Sequence, residues 1–131
     1  MPIFGARRRT KASGQAGEPP PAFELSVPEY RAVVRVIEHA RTCLVLRSGS
    51  DAATIHNASG GELASLLHHR ASAARARGVR EVPMLPGEIR HLEAAVLNLE
   101  SYGGHETVLC EGYALLEHCE ALAAALSRRS T

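Results

Sequence analysis

Glu88 and His91 stand three positions apart, the spacing by which one helical turn offers a carboxylate and an imidazole to the same pair of iron ions. A complete site of that kind needs a second such pair and two more inward glutamates. Glu38-His39 and Glu117-His118 do not supply them, because adjacent helical positions point about 100° apart. Zinc is the next chemistry to weigh. Cys110, His118 and Cys119 share one periodic segment, with Cys43 or His91 to complete four ligands. His118 and Cys119 cannot both face one ion from a regular helix, and no short C-x-C loop is present, so buried structural thiols are the better reading. No G-x-S-x-G elbow occurs, and Asp51 is the only aspartate available to orient a histidine. Gly60-Gly61 and Gly103-Gly104 lack the Lys-Ser/Thr sequel of a phosphate-binding loop. These residues predict no catalytic group, no bound metal and no cofactor, hence a protein that is not an enzyme.

Two groups of basic residues suggest binding. Arg7, Arg8, Arg9 and Lys11 form a cluster near the start, and Arg70, Arg75, Arg77 and Arg80 form a row at the end of a predicted helix. Either group suits phosphate contacts, and the first suits a narrow minor groove. The whole chain argues less for a polyanion: its formal net charge is +1 and its pI about 7.8. Lys11 is the only lysine, and the bias to arginine and alanine suggests a GC-rich coding sequence of a bacterium or phage. The expectation is a small adaptor, regulatory or structural assembly protein that works through protein–protein contacts, with the basic arm as a second contact. Self-association or a protein partner follows from it. Nucleic-acid binding through the Arg cluster and the arginine row is the alternative.

The elements that would position these residues are helices. Of 131 residues, 45 % are hydrophobic, chiefly alanine and leucine, with no tryptophan and few aromatics. Residues 1–22 should remain a disordered basic arm ending in the extended Pro19-Pro20-Pro21. Residues 23–131 should form one all-α domain, a four-helix bundle of two αα-hairpins.

Ser26 and Glu29 form a capping-box pattern before a first helix whose face is Tyr30, Val33, Val34, Ile37, Ala40 and Leu44. That helix should run to Arg47 and stop at Gly49; the alternative is a small β-hairpin near 42–56. Ser59 and Glu62 repeat the capping pattern for a helix buried on Leu63, Leu66, Leu67, Ala71 and Ala74 and ended by Gly78. Val79 to Leu85 is an extended connector.

The cleanest hairpin joins Ile89, Leu92, Val96 and Leu99 to a seam of Leu109, Gly112, Leu116, Cys119, Ala123 and Leu126, and the rest should pack against it. Val27-Pro28-Glu29-Tyr30-Arg31 echoes Leu85-Pro86-Gly87-Glu88-Ile89-Arg90, although chance similarity between Ala/Leu-rich helices explains this somewhat better than duplication. The cysteines sit in apolar segments, no apolar run reaches the ~20 residues of a membrane span, and no signal-like apolar stretch follows the first charges, so a cytoplasmic location is expected.

Overall fold

Ser26 ends one short strand and caps the helix that follows it. Its side chain accepts from the Glu29 N–H at 3.3 Å, and the Glu29 carboxylate accepts from the Ser26 N–H at 2.9 Å, the predicted capping box. In the computed structural model, which describes residues 20–49, 51–102 and 105–130, the order is β1 (Phe23–Ser26), α1 (Val27–Ser48), α2 (Ala52–Ala58), α3 (Gly61–Ala76), β2 (Glu81–Met84), a 3-10 turn (Pro86–Glu88), α4 (Ile89–Tyr102) and α5 (Glu106–Ser130). The fold is helical and bundle-like. The basic arm, with Arg7, Arg8, Arg9 and Lys11, lies outside the described residues except for its last three positions.

The hairpin alternative near 42–56 is not what forms. Among the described residues there, α1 runs to Ser48, Gly49 ends it with φ +66°, and α2 follows, capped by Asp51, whose carboxylate accepts from the Thr54 N–H at 2.9 Å. Leu44 is buried while Val45 and Leu46 are exposed, the rotation of a helix rather than strand alternation. The Ser59–Glu62 capping box also fails. Ser59 is fully buried and its hydroxyl donates to the His56 carbonyl at 3.3 Å, so Gly60, with φ +83°, takes the N-cap of α3.

Strands appear where none was expected. β1 pairs antiparallel with β2, Phe23 opposite Met84 and Leu25 opposite Val82. These four side chains are buried, and Glu24, Ser26, Glu81 and Pro83 take the outer face. Pro83 is tolerated because a two-stranded sheet has only edge strands.

The centre of packing is α1, not the α4–α5 hairpin. It touches both strands and every other helix, and meets α4 most extensively. Ala32 and Val36 are therefore buried in addition to the predicted face. Gly112 lets α5 close on both of these helices: a Cβ there would lie 2.9 Å from Val96 and 3.4 Å from Val36. The α5 seam accordingly centres on the buried Gly112, Leu115 and Cys119, with Leu109 and Leu116 at its edges.

The sequence echo has a structural counterpart. Leu85 occupies the position of Ser26 at the end of its strand, and Glu88 reaches back to the Leu85 N–H at 2.9 Å as Glu29 does to Ser26. Each glutamate is also met by the second helix of the other half. Arg70 of α3 holds Glu88, and His118 Nε2 of α5 lies 2.8 Å from Glu29 Oε2. α3 packs on β2 and α5 on β1, so the last helix of each half lies against a strand.

Candidate functional site

The predicted arginine row divides once it is folded. Arg70 is a strut: its Nη1 and Nη2 bond Glu88 Oε1 and Oε2 at 2.6 and 2.8 Å, and Nη1 also donates to the Pro83 carbonyl at 3.2 Å. Burial pushes the Glu88 carboxyl up, but the Arg70 guanidinium and the Leu85 N–H together hold it below its ordinary value. Arg70 is correspondingly raised, first by its hydrogen bonds to Glu88. Three of its five donors are engaged within the fold.

Arg75 and Arg80 instead line a cleft with Arg31, which sequence reasoning missed. Three elements supply them. α3 ends at Ala76, and Gly78, with φ +74°, turns the chain so that the Val79 N–H bonds back to the Ala74 carbonyl at 2.9 Å, a helix-ending geometry that glycine permits. Arg80 is thereby returned beside the helix that carries Arg75. Arg31 comes from the first turns of α1, on the exposed side of the helix. No spacing in the sequence links it to the other two. Arg77 caps α3 but does not line the cleft.

Val27, Ala71, Ala74, Val79 and Val82 give the cleft an apolar floor, and its space is about 150 Å³. Tyr30 forms one wall. Its hydroxyl is 3.1 Å from His68 Nδ1, and the two rings meet edge-on with centroids 5.7 Å apart. Among the described residues no carboxylate lies within ion-pair distance of Arg31, Arg75, Arg77 or Arg80. The nearest acids in sequence are engaged with each other. Glu81 is raised above the ordinary carboxylate value by its hydrogen bond to Glu24 and then by that neighbour's charge.

The metal candidates are not brought together. Glu88 is spent on Arg70, and His91 Nε2 faces Glu62 Oε1 at 2.8 Å. Cys119 is buried in the core, while Cys110 is exposed. A pair of imidazoles that the sequence did not suggest, His39 and His105, sits 4.8 Å apart centroid to centroid, beside Cys43 and Tyr102. No group of three or more His, Cys, Asp or Glu among the described residues could hold a metal ion.

No protein-family model, characterised protein or solved structure matches this chain. The arginine cleft combines hydrogen-bond donors and positive charge with apolar surface. No described helix is long and apolar enough to cross a membrane.

Proposed function

We propose that the protein is a small non-enzymatic adaptor that docks an acidic segment of a protein partner in the cleft between α1, α3 and β2. The observation that carries this reading is that Arg31, Arg75 and Arg80, none of them in an ion pair with a described acidic side chain, line one cleft together with apolar residues. Arginine clusters left unpaired on a surface match carboxylate or phosphate groups through their planar donor forks. Most of the apolar stripes of the helices meet one another inside a single chain. Three free thiols suit action in a reducing compartment such as the cytoplasm.

The test is fluorescence anisotropy with a labelled peptide of alternating glutamate and leucine. Binding should weaken steeply with salt and disappear in the Arg31→Gln/Arg75→Gln/Arg80→Gln variant. Unchanged affinity in that variant removes the reading. A second reading, nucleic-acid binding, draws on the exposed Arg77 beside the cleft and the Arg7–Lys11 cluster in the sequence. It requires a short duplex to bind with a salt slope that falls when residues 1–12 are deleted.

A further inference from the structure

Resting on the docking reading above, we infer that the acidic group received by the cleft is a phosphate monoester on a partner side chain rather than a carboxylate. Charge is the first reason. A single carboxylate offers two oxygens and one charge, which one arginine fork satisfies. Arg31, Arg75 and Arg80 arrive from three different elements at one cleft. Three oxygens and a charge of roughly −1.5 to −2, as a phosphorylated side chain carries, engage such a set more completely.

Size is the second reason. The space of the cleft is about 150 Å³. Pockets that enclose whole small ligands run about 300–1,000 Å³. The cleft therefore accepts a head group with its stem, and Val27, Ala74 and Val82 give that stem an apolar bed. A phosphorylated side chain on a docked segment has this shape.

The experiment uses the full chain and three degenerate peptide libraries that differ only in a fixed central residue: phosphoserine, phosphotyrosine or glutamate. At least one phosphorylated library should bind roughly tenfold tighter than the glutamate library. That advantage should vanish in Arg31→Gln, Arg75→Gln and Arg80→Gln, persist in the surface control Arg129→Gln, and fall partway in Arg75→Lys, which keeps the charge but loses the fork.

These side chains are exposed and make no ion pair with the described residues, so circular dichroism of each variant should match the parent. Equal binding of the glutamate library overturns the phosphate assignment and leaves the docking reading standing. No binding by any library, or binding unchanged in the three glutamine variants, overturns both. Displacement of the phosphopeptide by equimolar inorganic phosphate, or tighter binding of a short DNA duplex, overturns the assignment to a protein segment.

Discussion

Cys119 and Glu81 show how far a side chain's neighbours move it. Cys119 sits fully buried on the inner side of α5, where burial, followed by the charge of Glu29 and Glu120, pushes its thiol up to about 11. At pH 8 its thiolate fraction is on the order of one in a thousand. Disulfide-exchange labelling of the native protein should modify the exposed Cys110 promptly and Cys119 only on unfolding; equal rates would show that α5 is not seated. Glu81 is also raised, first by its hydrogen bond to Glu24 and then by that neighbour's charge. Its folded value is raised by Glu24, so the folded state binds more protons than the unfolded one and loses stability as pH rises through that value. Glu81→Gln should therefore raise Tm at pH 7, with the gain shrinking towards pH 4 in a melting series.

At the scale of elements, the join between α2, α3 and α4 is the most exacting feature. Gly60 combines φ +83° with a position where a Cβ would collide with the His91 backbone carbonyl. A non-glycine residue pays about 1–2 kcal/mol for the left-handed backbone alone. Gly60→Ala should thus cost at least about 2 kcal/mol in urea unfolding, since the clash is with backbone and not with a movable side chain. Asn98 holds the same junction by donating to the Ala58 carbonyl and, at 2.9 Å, to that of Ala94. Asn98→Ala should cost about 1–2 kcal/mol through the acceptor left without its donor. Gly112→Ala is expected to be much milder, because the Val96 side chain can shift and alanine is the better helix former.

For the molecule as a whole, the acid limit is set by two glutamates at helix starts, Glu29 and Glu88. Glu29 is lowered chiefly by the Ser26 N–H, against desolvation, with smaller help from the Ser26 hydroxyl and His118, and Glu88 is lowered as described. Both contributions are complete above the ordinary carboxylate value of about 4.3 and are lost as pH falls through the lower folded values. A Tm series should be flat near neutrality and drop below about pH 4.5.

Arg70→Met should remove much of that dependence. It should also cost about 2–3 kcal/mol at pH 7, less than the range for a fully buried pair because the Arg70 and Glu88 side chains are 23 % and 12 % exposed. A variant as stable as the parent would show that the Arg70–Glu88 pair adds nothing net to stability.

Local signals in the chain determined the helices. Three-four apolar spacing in Tyr30 to Leu44 and in Ile89 to Leu99, the Ser26–Glu29 box, and glycines at 49 and 78 act within a few residues of one another, so they need no fold to be legible. The arginine row was equally legible as a list of residue types. Only tertiary structure decided that Arg70 is a strut, that Arg31 joins Arg75 and Arg80, and that α1 is the hub. It also decided that Val79 to Leu85 contains a strand, because four residues with a proline become a strand only when Phe23 to Ser26 lies alongside. The physical reason is common to these cases: the deciding partner is far away in sequence, and a contact between distant segments leaves no periodic trace in either one.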